Sequence, residues 1–328
     1  MPPLTFLPIV KRIRWGGRRL GSVLKKPIGE GDDYAESWEV VDHGEDQSVV
    51  SDAAANGRFA GQTLSELVRT FPAELFGADS GREQFPLLIK FLDASDRLSV
   101  QVHPNDALAK RHDPAELGKT EAWVILHAEA GARLWSGLKE GVTEEQVRSA
   151  LEQQTLEDLL HAVEVKSGDC VFIPAGTVHA IGEGILLAEV QQSSDLTFRY
   201  YDWGRLGADG QPRELHIDDS LEATDWTRGP VDPVTPQPAT SALGCERAEH
   251  LVHCEFFDLT RHFAQRETTI PQDGQSHTLL VLDGSATLSH SLGQTRLPTG
   301  QTVLLPADRD SVVLRPDEPT TILDATLN

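Results

Sequence analysis

The sequence predicts a mainly β fold, organised as two jelly-roll barrels with a few helices inserted in and flanking the first. Three observations carry that prediction. Short apolar runs recur along most of the chain, separated by turns drawn from 27 glycines and 19 prolines, a pattern of barrels and sandwiches rather than helical bundles. A glycine–proline frame occurs twice: Gly168, Pro174, Gly176 and His179, then Gly300, Pro306, Asp308 and Ser311 at the same spacing. Finally, Ser99-Val100-Gln101-Val102-His103 alternates polar and apolar, as a strand with two unlike faces does.

The elements follow in chain order. Ala35 to Val41 alternates like a strand. Residues 62–77 place Leu64, Leu67, Val68, Phe71 and Leu75 on a helical period, with Thr63 as the N-cap. Phe85 to Asp93 is an apolar strand, and a polar turn at Asp96-Arg97 leads into the alternating segment. There Val100 and Val102 suit a packed outer face, so Ser99, Gln101 and His103 look inward. Asn105 to Gly118 reads as loop or short helix, and Glu121 to Leu126 as a buried strand. Residues 143–162 read as helical, with a capping box from Thr143 to Gln146. From Val163 the chain is β again, through Gly168–His179, Ile185–Gln192 and Leu196–Tyr201. Pro230, Pro233, Pro236 and Pro238 mark a linker. Short strands follow at Glu255–Thr260, Thr278–Leu282, Ala286–Leu288, Thr302–Leu305 and Ser311–Leu314. The expected plan is a catalytic domain at 1–228 with helical insertions, a Pro-rich linker at 229–244 and a degenerate second barrel at 245–328. That second barrel is expected to bind no metal, because Ser311 stands where the first frame has His179.

Charge and cysteine content narrow the function. A net charge of −22 argues against nucleic acid, whose phosphates want basic surfaces. Three cysteines, Cys170, Cys245 and Cys254, cannot all pair and lack metal-pair spacing, which suits a reduced cytoplasmic compartment. Met1 to Trp15 has its apolar residues before Lys11, Arg12 and Arg14, the reverse of a signal peptide. No stretch approaches the roughly 20 apolar residues of a membrane helix.

Gln101 and His103 on one strand, Glu121 at the start of the next and His179 after a tight Pro-Gly turn make a mixed N/O ligand set. Zn²⁺ accepts such ligands, and two histidines plus a carboxylate with open positions is a catalytic arrangement. Fe²⁺ and Mn²⁺ fit the same set. Lys119, two residues before Glu121, shares its face. Ser99 lies in line with Gln101 and His103, and Glu189 shares a strand face with Leu187 and Gln191.

The Gly168–His179 frame resembles the second sequence motif of the cupin barrel. Phe85 to Asp106 (FPLLIKFLDASDRLSVQVHPND), Lys119 to Trp123, Pro174 to His179 and Leu196 to Arg205 (LTFRYYDWGR) resemble type I mannose-6-phosphate isomerases in their short, bacterial form. Trp15-Gly16-Gly17 and Ala35 to Glu39 fit too. The resemblance implies a zinc-dependent enzyme of carbohydrate metabolism that interconverts mannose 6-phosphate and fructose 6-phosphate. It implies one zinc per chain on Gln101, His103, Glu121 and His179, and an active-site arginine at Arg199. Such a reaction passes through an enediolate, so a fixed cation near the carbonyl oxygen is the largest help available; Arg199 fits that role. For the same reaction Lys119 could assist ring opening, move protons or bind phosphate, Ser99 is a candidate phosphate contact, and Glu189 is a candidate for the proton-transferring base, which stays unassigned. The long forms insert a helical domain between the glutamate and second-histidine positions, whereas here 57 residues separate Glu121 from His179. The expected partner is a small sugar phosphate, with no nucleic acid and no membrane, in a monomer or weak homodimer. An iron-dependent cupin oxygenase and a non-catalytic sugar-phosphate-binding cupin are the alternatives. The Phe198–Arg205 run weighs against the first, and the intact Arg199, Lys119 and ligand set against the second.

Overall fold

Strand Val100–Val102 lies inside a five-stranded antiparallel sheet, in the order Leu160–Glu164, Arg133–Leu138, His179–Ile181, Val100–Val102, Phe198–Tyr201. In this computed structural model, which describes residues 1–206 and 210–328, Val100 and Val102 are fully buried on the outer face of that sheet. They pack with Val147 of helix Glu144–Gln153 and Leu221 of helix Ile217–Ala223. A covered outer face leaves the alternate residues, Gln101 and His103, facing the interior. Glu121–Ala128 is flanked by Cys170–Ile173 and Ile185–Gln192, both antiparallel to it. The register sets Ile173 and Gln191 opposite Glu121, and Glu189 opposite Trp123. The chain is mainly β, as expected, and no helix among the described residues is long and apolar enough to cross a membrane.

The chain divides into two compact units, and the division does not follow the expected boundary at residue 228. One unit is Arg12–Gly17 with Leu92–Val234; the other is Met1–Lys11, Arg18–Phe91 and Thr235–Asn328. The barrel described above belongs to the first. In the other unit a second barrel has a six-stranded sheet (Gln237–Ala239, Arg247–His253, Phe257–Ala264, Thr320–Leu327, His277–Asp283, Thr302–Leu305). Its other sheet has four strands: Thr268–Ile270, Val312–Pro316, Ser285–His290 and Gly293–Pro298. Leu279, Val281, Leu288, Leu297, Leu314 and Ile322 fill the space within. N-terminal segments are bound to this barrel. Leu4 exchanges backbone hydrogen bonds with Leu304 at 2.8 and 2.9 Å, Lys26 Nζ donates to Gly300 O at 2.6 Å, and Ala307 N–H donates to Leu75 O at 3.1 Å.

The Pro-rich segment is pinned rather than loose. Val231 N–H donates to Ser136 O at 3.0 Å and Val234 N–H to Cys170 O at 2.8 Å. Gln237–Ala239 forms an edge strand, the place in a sheet where Pro238 is tolerated. Two helical expectations need correction. Residues 62–77 form two helices, Leu64–Thr70 and Pro72–Phe76, because Phe71 leaves the helical region (φ −132°, ψ 44°) ahead of Pro72; Thr63 caps the first with a full capping box. The helix capped by Thr143 ends at Gln153, where Gln154 turns left-handed (φ 58°), and Leu160–Glu164 is a strand.

Both glycine–proline frames build the same local structure. A positive-φ glycine (Gly168, 90°; Gly300, 83°) precedes a four-residue strand, Cys170–Ile173 or Thr302–Leu305, and a proline ends it. The copies part at the next position. Gly176 has φ 86°, whereas Asp308 is absent from the positive-φ residues, so the turn that delivers His179 is not repeated before Ser311.

Candidate metal centre

Three of the four predicted ligands meet at one point. His103, Glu121 and His179 are all buried, and one ligand atom from each lies within 4.8 Å of the others. His179 Nε2 is 3.3 Å from Glu121 Oε1, and His103 Nε2 is 3.7 Å from Glu121 Oε2. Each imidazole is oriented by the backbone: His103 Nδ1 lies 2.9 Å from Leu196 O and His179 Nδ1 2.9 Å from Thr177 O. An Nδ1–H donated to a carbonyl leaves the Nε2 lone pair facing the centre, the arrangement a metal-ligating histidine adopts. Burial pulls His179 down to about 4, which keeps it neutral. Glu121 Oε2 is buried and accepts no hydrogen bond, although Lys119 Nζ approaches to 3.1 Å. Two imidazoles oriented by backbone carbonyls and a carboxylate oxygen that accepts no hydrogen bond fit a divalent cation.

The remaining predicted residues surround this point. Gln101 is paired in register with His179 on one side and Arg199 on the other. Its Nε2 lies 3.3 Å from His179 Nε2, and its Oε1 accepts from Ser99 Oγ at 3.3 Å. Ser99 is 3% exposed and also accepts from Arg199 Nε at 3.2 Å, so its hydroxyl links the amide to the guanidinium. Arg199 donates as well to Glu214 O at 2.9 Å; burial, and then the neighbouring Arg213 charge, lowers its pKa. Lys119 Nζ lies 3.2 Å from His103 Nε2 and 3.8 Å from Glu189 Oε1. Glu189 Oε2 accepts from Trp123 Nε1 at 3.1 Å, and the Trp123 ring meets His179 edge-on at 5.3 Å. Trp123 was absent from the sequence-predicted set, yet it alternates in phase with Glu121, and that phase was the available signal.

The second barrel also carries buried polar groups that no sequence pattern announced. His277 Nδ1 lies 2.8 Å from Asp324 Oδ2, and its Nε2 lies 2.9 Å from Asp273 Oδ2. Both ring nitrogens therefore donate, and the ring is an imidazolium. Burial alone would lower its pKa, but Asp324 and Asp273 outweigh burial and raise it to about 10. His262 Nε2 stands 3.4 Å from Asp324, and Arg309 Nη2 3.6 Å from Asp273.

A jelly-roll barrel that brings two imidazoles and a carboxylate to one point, with a lysine and an arginine alongside, carries the donor set of a catalytic metal site. The phosphomannose isomerase type I catalytic-domain model matches residues 5–117. Mannose-6-phosphate isomerase ManA of Bacillus subtilis is 36% identical over 313 residues, covering 93% of each chain. The chain belongs to the type I phosphomannose isomerase family. A crystal structure of the mannose 6-phosphate isomerase from Bacillus subtilis superposes with a TM-score of 0.89 at 29% identity, covering 99% of both chains. A mannose 6-phosphate isomerase crystallised with zinc and yttrium shares the fold over 100% of both chains, with a TM-score of 0.74 and 16% identity.

Proposed function

We propose that this chain is a zinc-dependent isomerase interconverting mannose 6-phosphate and fructose 6-phosphate, with one zinc per chain. The observation that carries the reading is the convergence of His103, Glu121 and His179 beside Lys119 in a barrel of this family. His103, Glu121 and His179 would hold the ion through Nε2, carboxylate and Nε2, with Gln101, whose side chain reaches His179, as the fourth residue at the ion. Bound there, zinc supplies positive charge that polarises or orients sugar oxygens. The protein's own groups do the rest. Moving a proton between C1 and C2 puts negative charge on an oxygen, and Arg199, always protonated, stabilises that charge. Ser99 serves the substrate through Arg199, whose Nε it holds. Lys119 hands a proton to or from a sugar oxygen at C1 or C2, its ammonium held between Glu121 and Glu189. The free thiols of Cys170, Cys245 and Cys254 support a reducing, cytoplasmic setting.

The test is metal analysis of the purified protein alongside a coupled assay for fructose 6-phosphate formed from mannose 6-phosphate. The expected result is about one zinc per chain, turnover lost on chelation, and turnover restored by zinc. Zinc-loaded protein that leaves mannose 6-phosphate unchanged would refute the reading.

A further inference from the structure

Lys119 sits in a short segment whose backbone is held from outside at three successive residues. Gly118 N–H donates to Asp106 Oδ1 at 2.7 Å, Lys119 N–H to Pro104 O at 3.0 Å, and Thr120 N–H to Gln192 Oε1 at 2.9 Å. The two side chains in that set are themselves joined, because Gln192 Nε2 donates to the same Asp106 Oδ1 at 3.0 Å. Gln192 N–H also donates to Thr120 O at 3.1 Å, so Gln192 grips the strand entry by backbone and side chain together. The segment lies so close to the Asn105–Asp106 backbone that a Cβ on Gly118 would fall 2.5 Å from Asp106 N and 2.6 Å from Asn105 C. Gln192 is 3% exposed, so water does not readily replace either end of its amide.

We infer that Asp106 and Gln192 are positioning residues for Lys119: their joined side chains fix the peptides on either side of it and so hold its ammonium within 3.1 Å of Glu121 Oε2 and 3.2 Å of His103 Nε2. Neither residue touches the reacting atoms. The bracket explains why an aspartate follows the His103-Pro104-Asn105 run: Asn105 caps the next helix through its Oδ1 on Leu108 N–H, and Asp106 ties that helix start to the lysine segment. The inference rests on the isomerase reading for its kinetic consequence, and on the hydrogen bonds alone for its structural one.

Gln192→Glu separates the two. It keeps size and the acceptor for Thr120 N–H but replaces the amide donor with an oxygen facing the Asp106 carboxylate. A misplacement of about 1 Å costs up to roughly 10²-fold. In zinc-loaded enzyme, Gln192→Glu is expected to lower kcat about 10- to 100-fold, with KM and zinc content within about threefold of the parent. Asp106→Ala is expected to do the same, and Asp106→Asn, which keeps an oxygen acceptor, to recover most of the loss. Added to Lys119→Ala, Gln192→Glu is expected to cause little further loss. An equal loss in both backgrounds, or kcat within twofold of the parent, would overturn the inference. Amide exchange at residues 118–120 reads the bracket without catalysis: protection in the parent is expected to fall at least tenfold in Gln192→Glu. Unchanged protection overturns the bracket, while an inactive parent with this exchange pattern refutes the isomerase reading alone.

Discussion

The imidazolium of His277 makes the second barrel's stability depend on pH in a defined direction. Its folded pKa of about 10 lies above the ordinary value of 6.5, so the proton is bound more tightly in the folded state. The contribution is fully present below pH 6.5, declines between 6.5 and about 10, and is gone above that. At about 1.4 kcal/mol per unit, a gap of that size is worth on the order of 5 kcal/mol at pH 6 and about 3 kcal/mol at pH 8. The same contacts lower Asp324 and Asp273 to about 2, and are counted once; that side of the linkage is present above about pH 4 and is lost as pH falls toward 2. The assay is amide exchange across His277–Asp283 and Thr320–Leu327, measured at pH 6, 8 and 9.5 and corrected for intrinsic rates. The parent is expected to lose stability over that range faster than His277→Gln, by about 1.4 kcal/mol per pH unit. Asp324→Asn, which leaves a buried cation with one carboxylate, is expected to cost about 3–5 kcal/mol at pH 6. Nitrogen shifts showing a neutral His277 at pH 8, or a difference between parent and His277→Gln that does not vary with pH, would refute this account.

His179→Ala is expected to purify with less than about a tenth of the parent's zinc and no turnover; full zinc content would remove His179 from the ligand set. Arg199→Ala is expected to retain zinc and lose roughly 10²- to 10³-fold in kcat, with Arg199→Lys recovering part of it. A raised KM with turnover preserved at saturation would reassign Arg199 to the phosphate. Serine variants of Cys170, Cys245 and Cys254 are expected to keep their zinc, as measured by metal analysis.

Much of the site was legible because strand periodicity is local. The phase of Ser99 to His103 separated the inward row from the valines that pack outward, and the two-residue step from Lys119 to Glu121 put both on one face. Thr63 as an N-cap and Thr143 with its capping box announced their helices because capping signals lie within four residues. The grouping of residues 1–11 and 18–91 with 235–328 was not legible, since it rests on pairs such as Leu4 with Leu304 and Leu75 with Ala307 that no local pattern encodes. Strands rich in polar residues, such as Arg247–His253 and Thr320–Leu327, carry weak alternation and were missed. So was the His277 cluster: Asp273, His277 and Asp324 meet only once the register of Thr320–Leu327 against His277–Asp283 is known. Gln192 reads in sequence as one more residue of a buried strand, and its amide gains meaning only beside Asp106.

The central position of strand Val100–Val102 has a consequence for biosynthesis. Its partners, His179–Ile181 and Phe198–Tyr201, both lie downstream. While the chain is being made, the segment bearing Gln101 and His103 therefore emerges with both edges open and waits for most of the next hundred residues before either can close. Unpaired edges of this kind invite association with other chains, and long-range pairing is slow to form. A ribosome stalled before residue 179 would hold a nascent chain in which the strand leading to His103 has neither of its partners, a natural client for a chaperone.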